Sequence, residues 1–150
     1  MSDIVIRETD LADLDYIAVR LRDADRAEYM CATQTDPRET FSERLAAHSQ
    51  YTALVDGAPT AVFGCTDYGS WGAPWLLGTD RLEGHQVALE MIRWGRELFH
   101  SWGLQYQRLY NMTYAKNHLH HKYIRLLGAK LTDQPILVNG HEFLEFTYSV

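Results

Sequence analysis

The chain has 150 residues, 46% of them hydrophobic and 12% aromatic, with a formal net charge of −6. That length suits one domain, spanning residues 1–150, that buries roughly 70% of its unfolded surface. The acidic balance, without any run of like charges, excludes a general binder of nucleic acid or anionic membrane, both of which need a basic face.

Cys31 and Cys65 fall outside any C-x-x-C or zinc spacing. No signal peptide is read at the start and no apolar run approaches ~20 residues, so the expected location is cytoplasmic.

Ile4-Val5-Ile6 is a β-rich run and predicts the first strand. Thr9 or Asp10 caps a helix carrying Leu11, Leu14 and Ile17 on an imperfect apolar stripe. Residues 24–30 either extend that helix or start a kinked second one. Asp36-Pro37-Arg38-Glu39 is a cleaner start signal, with Asp at the N-cap, Pro at N1 and Glu at N3. Its helix is expected to end near Ser49.

Residues 51–55 and 60–66 flank Asp56-Gly57, a two-residue hairpin signal. After the Gly-rich stretch Tyr68 to Gly72, a fourth strand runs from Pro74 to Gly78, and residues 79–85 turn the chain. The next helix places Val87, Met91, Trp94, Leu98 and Trp102 on one side and is expected to stop at Gly103. Gly95 in its middle indicates close packing. Residues 104–112 form the next strand, Asn117 to Leu127 the last helix, with Gly128 as its C′ residue. Residues 130–138 and 142–148 surround Asn139-Gly140, a second hairpin signal.

The order is thus β α α β β β α β α β β, an α+β fold with a mixed sheet of six to seven strands flanked by helices. A helix between strands four and five makes that pair parallel. The carboxyl end of the fourth strand and the amino end of its helix then form a natural anion site.

This order resembles the GNAT superfamily of acyl-CoA-dependent N-acetyltransferases over essentially the whole chain. The family's pyrophosphate loop reads roughly R/Q-x-x-G-x-G/A. Here Arg81-Leu82-Glu83-Gly84-His85-Gln86 matches at Arg81 and Gly84 and departs at Gln86. The family also has an Asn followed eleven residues later by Gly, a spacing kept by Asn117 and Gly128, although Ala129 stands where an aromatic is common. Residues 72–79, Gly-Ala-Pro-Trp-Leu-Leu-Gly-Thr, are similar in wording to GNAT-like proteins of tailed bacteriophages.

The resemblance implies acetyl-CoA as cofactor, with its pantetheine arm along Leu76, Leu77 and Gly78. Its diphosphate falls at Arg81, Gly84, His85 and Gln86, and Asn117 bonds its middle. The loop equally suits a plain capped turn, Glu83 opposes an anion there, and Asn117 also suits an N-cap. The family's thiolate-protonating Tyr falls at Ile124, one residue past Tyr123, a step of about 100° around a helix. Tyr123, with Asp67 or His120 as base, makes the candidate catalytic set; a loop Asp is otherwise a turn former. His118 and His121 share a helix face but no second ligand pair accompanies them, so no metal is expected. Trp71 and Trp75 suit either an acceptor pocket or packing.

Two functions follow. One is transfer of an acetyl or related acyl group to an amine on a small molecule or a protein. The other is a catalytically degenerate GNAT-fold phage protein, acting in the host cytoplasm or the virion as an interaction factor. Its partner would be a phage or host protein; a homodimer is compatible with either. A small-ligand-binding α+β domain outside the superfamily is the third reading.

Overall fold

The computed structural model describes residues 2–150. Strand β1 (Ile4–Glu8) leads through helices α1 (Leu11–Ala18), α2 (Asp23–Thr33) and α3 (Pro37–Leu45). Strands β2 (Tyr51–Val55), β3 (Ala58–Asp67) and β4 (Trp71–Gly78) follow. Helix α4 (His85–Gln105), strand β5 (Arg108–Tyr114) and helix α5 (His118–Leu126) come next. Strands β6 (Lys130–Leu131), β7 (Ile136–Val138) and β8 (His141–Tyr148) close the chain. The sheet order is β1-β2-β3-β4-β5-β8-β6, with β7 also on β8. Every pairing is antiparallel except β4 with β5. The expected α+β fold with a mixed sheet is therefore present.

Strand alternation splits the core between the two faces. Val62 and Leu77 pack with Leu14, Ile17, Tyr29 and Phe41 of α1 to α3. Their neighbours Phe63 and Leu76 turn to the other face, against Val87 and Met91 of α4. Leu109 and Phe146 continue that face under Phe99, Trp102, Ile124 and Leu127. Both hairpin signals act as read: Asp56 and Gly57 take φ of 50° and 82°, Asn139 and Gly140 take 52° and 81°, the positive pair of a tight turn.

Three helices rather than two precede β2, because residues 19–22 leave helical geometry and Leu21 forms an antiparallel bridge with Thr79. Helix α4 runs through Gly103 to Gln105. A Cβ at Gly103 would come within 2.6 Å of Val150 Cγ2 and 3.0 Å of Tyr148 Cε1, so this glycine serves packing and is no stop signal. Strand β5 accordingly starts at Arg108. The expected strand over 130–138 is two pieces, which makes eight strands. Its register on β8 slips by two residues between Leu131↔Phe146 and Ile136↔Phe143, across a turn containing Pro135, which has no N–H for the ladder. Among the described residues no helix is long and apolar enough to cross a membrane.

Candidate active site

Strands β4 and β5 pair only at Trp71↔Arg108 and Gly72↔Leu109 and then diverge. The bond from Thr79 N–H to Thr60 O turns the odd residues of this stretch toward β3, so Pro74, Leu76 and Gly78 aim their backbone groups into the gap. On β5 the bond from Ala115 N–H to Glu142 O does the same for Tyr110, Met112 and Tyr114. Unpaired strand edges inside a protein need partners, and here most of them find side chains.

Three side chains stitch the gap. Nearest its closed end, the Asn111 carboxamide crosses from β5: Nδ2 donates to Pro74 O at 3.0 Å and Oδ1 accepts from Met112 N–H at 2.7 Å. A carbonyl on one side and an N–H on the other fix which end of the amide is which. Farther out, Gly78 N–H donates to Asp25 Oδ2 at 2.8 Å, and Arg22 N–H donates to Gly78 O at 3.0 Å. Glu28, one turn along α2, accepts from Tyr114 N–H and Thr113 Oγ1, both at 2.7 Å. Leu76 has no hydrogen-bond partner in the gap among the described residues.

Between the two carboxylates sits His120, itself buried. Its Nε2 is 3.1 Å from Asp25 Oδ1 and its Nδ1 is 3.0 Å from Glu28 Oε2. Arg22 Nε lies 3.0 Å from Asp25 Oδ1. Neither Arg22 Nε nor His120 Nε2 meets hydrogen-bond geometry, so these two are charge contacts. Burial pushes the His120 imidazolium toward losing its proton, but Glu28 and Asp25 outweigh burial and raise its pKa to about 10. Burial likewise raises the Asp25 carboxyl, and the charges of His120 and Arg22 with the Gly78 amide outweigh it, holding Asp25 below the usual range. At neutral pH His120 is a clamped cation, which is not the state of a general base.

Behind the stitched edge lies an apolar cavity of about 250 Å³ that passes between the strands, lined by Trp75, Leu76 and Leu77 of β4, Asn111 to Thr113 of β5, and α4 and α5 beyond. Tyr123 lines it as well, yet its hydroxyl donates to Met91 O at 2.8 Å, and burial raises its pKa. Asp67 ends β3 at the paired, closed end of the gap, opposite Gly72, and accepts from Gly69 N–H at 2.7 Å as a turn former. Geometry therefore joins Tyr123 and His120 at the gap and leaves Asp67 apart from them. Trp75 reaches the cavity, while Trp71 stacks on Tyr68 with ring centroids 4.3 Å apart.

At the open end of the gap, Asp80–Glu83 form a 3-10 turn and Gly84 is the N-cap of α4 without a side-chain cap. The amides of His85, Gln86 and Val87 have no partner among the described residues, and Arg81, Glu83 and His85 are exposed beside them. Such amides favour an anion. A Cβ at Gly84 would meet only ordinary contacts, 3.6 Å to Arg81 O and 3.7 Å to Val87 Cγ2. Folding does not require glycine there. Gly78 differs, since a Cβ would strike Leu82 Cδ1 at 2.2 Å and Thr60 O at 2.9 Å. Gln86 Oε1 accepts from Ser2 N–H at 3.2 Å.

Asn117 is fully buried and caps α5, its Oδ1 accepting from His120 N–H at 3.3 Å. Its Nδ2 donates to Asp25 Oδ1 at 3.2 Å, so its second amide function faces α2. The residues that shape the gap, Asp25, Glu28 and Asn111, were absent from the sequence candidates. Asp25 and Glu28 share a helix face at i, i+3, which is the one signal available for them.

No family model matches the sequence and no curated protein matches it. Solved structures do match, along nearly the whole chain. The ribosomal L7/L12 α-N-protein acetyltransferase RimL, in complex with coenzyme A, superposes with a TM-score of 0.66 at 10% identity over 98% of this chain and 94% of its own. A GNAT-family acetyltransferase from Bacillus anthracis gives 0.62 at 12% identity, over 98% and 93%. The protein yncA from Salmonella typhimurium, solved with acetyl-CoA, gives 0.57 at 14% identity, over 97% and 93%. The wording shared with phage proteins over residues 72–79 gains no support from these structures. With its diverging fourth and fifth strands and flanking helices, the chain has the GNAT fold.

Proposed function

We propose that this chain binds an acyl-CoA in the gap between β4 and β5 and transfers its acyl group to an amine. The observation that carries this reading is the divergence of the two strands after Gly72↔Leu109, with Leu76 N–H and C=O left unpaired on an apolar cavity of about 250 Å³. An extended arm bearing amides can pair with Leu76 as a missing strand would. The free amides of His85 to Val87, with Arg81 beside them, suit the diphosphate. Leu77 faces the opposite helices and offers its side chain alone, and Gly78 is already engaged by α2.

The reaction is balanced without a resident base. The amine nitrogen bonds to the acyl carbon and the carbon–sulfur bond breaks. The thiolate leaves with its electron pair and takes up the proton the amine loses. Acetyl-CoA is the first donor to test, by calorimetry of the purified protein followed by thiol release with a panel of amines. Absence of heat at millimolar acetyl-CoA sinks the proposal.

A second reading has one observation in its favour. Asp25 and Glu28 occupy the Gly78 and Tyr114 amides at the mouth of the gap, so that end of the two strands is satisfied without a ligand. A GNAT-fold protein that no longer catalyses and instead contacts a phage or host protein fits that closure. Thiol release above background removes this reading; capture of a partner, unaffected by acetyl-CoA, favours it over the transferase.

A further inference from the structure

The closed end of the gap has a chemical deficit. Backbone groups that face the gap come from every second residue of β4, and the first beyond the paired positions is Pro74, which has no N–H. A ligand entering from the α4 end, with its diphosphate at His85 to Val87, runs inward along β4. Four residues from Gly78 to Pro74 span about 13 Å at ~3.3 Å each, and the reacting end of the ligand arrives at Pro74. No main-chain donor of β4 waits there.

Asn111 stands opposite. Its carboxamide nitrogen carries two N–H groups, and one is engaged with Pro74 O. The other has no partner among the described residues, on a side chain that lines the cavity. Other hydroxyl donors on that wall are committed: Thr113 Oγ1 donates to Glu28, Tyr123 to Met91 O and Thr33 to Tyr29 O. His120 is held by charge between Asp25 and Glu28 at the outer end of the gap, where those carboxylates engage Gly78 and Tyr114. Both ends of the Asn111 amide are held, by Pro74 O and Met112 N–H, so its free N–H is oriented before any ligand arrives. A fixed donor aimed where negative charge develops is the arrangement that lowers an acyl-transfer barrier.

We propose that Asn111 is the electrophilic residue of this site: its uncommitted Nδ2–H bonds the carbonyl oxygen of the bound acyl thioester, in place of the main-chain donor that Pro74 removes. The assignment rests on the acyl-CoA reading above and adds a residue and a role to it.

The test uses acetyl-CoA labelled with carbon-13 at the carbonyl, bound to the full chain, and reads the carbonyl stretch by isotope-edited infrared spectroscopy. In the unmodified protein the band moves to lower frequency than in water. Asn111→Ala and the near-isosteric Asn111→Asp both lose that displacement, while affinity for CoA, which has no acyl carbonyl, stays within ~3-fold. Turnover falls ~100-fold in kcat, as removal of one such donor does elsewhere. Asn111→Asp keeps an acceptor for Met112 N–H, which covers the case in which Asn111→Ala fails to fold.

An unchanged carbonyl band in both variants overturns the assignment, and so does a loss of CoA affinity matching the loss of kcat, which marks a purely structural strap. If the unmodified protein binds no acetyl-CoA, the acyl-CoA reading itself fails and the assignment with it. That outcome is separated from the others by the first titration.

Discussion

Asp25 Oδ2 accepts the Gly78 amide at 2.8 Å across 53 residues of sequence, and with that bond helix α2 takes over one edge of strand β4. The other oxygen of the same carboxylate faces Arg22, His120 and Asn117. A single fully buried carboxylate thus ties α2, β4 and α5 together, and the strands stay apart without collapsing onto each other.

Removing its charge should be expensive. Asp25→Asn keeps the shape but leaves Arg22 without a counter-ion and His120 with Glu28 alone. Breaking a buried pair from one side costs about 3–5 kcal/mol, to be read from urea denaturation midpoints. Coupling to His120→Gln in a double-mutant cycle should be on the order of 0.5–3 kcal/mol. Strictly additive effects would show that the contact is incidental.

Stability should also depend on pH through His120. Its folded pKa is raised to about 10, against an ordinary value of 6.5. The folded state therefore holds a proton that the unfolded state releases between those values. The contribution is fully present below about pH 6.5, shrinks as pH climbs, and is gone above about 10, with a slope up to ~1.4 kcal/mol per pH unit. Asp25 and Glu28 are the charged groups in contact with the ring, and Arg22 shares Asp25 Oδ1 with it. Denaturation midpoints from pH 6.5 to 10 should fall for the native protein and stay comparatively flat for His120→Gln. Parallel curves would remove the imidazolium from the account.

At the N-terminus of α4 one substitution should move stability and binding in opposite directions. Gly84 has the extended geometry of an N-cap, φ −63° and ψ 137°, and room for a side chain. Gly84→Asp adds a cap and a favourable charge at the helix start, worth a few tenths to about 1 kcal/mol of stability. The same carboxylate opposes a diphosphate at His85 to Val87. Thermal melting should rise slightly while acetyl-CoA affinity falls at least ~10-fold on electrostatic grounds. A variant that gains stability and binds acetyl-CoA normally places the diphosphate elsewhere.

Much of this fold was legible because its signals are local. Asp56-Gly57 and Asn139-Gly140 favour the positive φ of a two-residue turn between strand-like runs, and Asn117 with Gly128 (φ 93°) brackets α5 by capping rules that act within a turn. The gap itself was legible only as an implication of element order. Its partners were not, because Asp25 and Glu28 look like the solvent side of a polar helix until β4 and β5 present them with unpaired amides 53 and 86 residues away. Asn111 reads as a neutral strand residue, and its role appears only when the neighbouring strand is seen to lack an N–H at Pro74. Gly103 misled for a related reason: the contact that demands it comes from the chain's last residues.

Tyr123 and Gly95 give a final test, of whether the tyrosine belongs to the chemistry or to the packing of α4 on α5. A Cβ at Gly95 would lie 2.6 Å from both Tyr123 Oη and Leu127 Cδ2. Gly95→Ala therefore overpacks the contact, at a cost of about 1–3 kcal/mol, against a gain of ~1 kcal/mol in helix propensity. Tyr123→Phe removes the hydroxyl that bonds Met91 O and should cost only ~0.5–1.5 kcal/mol. Because it also removes one of the two clashing atoms, the double variant should be more stable than the sum of the singles predicts. Turnover of Tyr123→Phe should stay within ~3-fold of the native protein, whereas a thiolate-protonating tyrosine would bring a loss on the order of 100-fold. Measured together, the stability cycle and the rate separate the two roles, since packing sets the first and proton transfer alone would set the second.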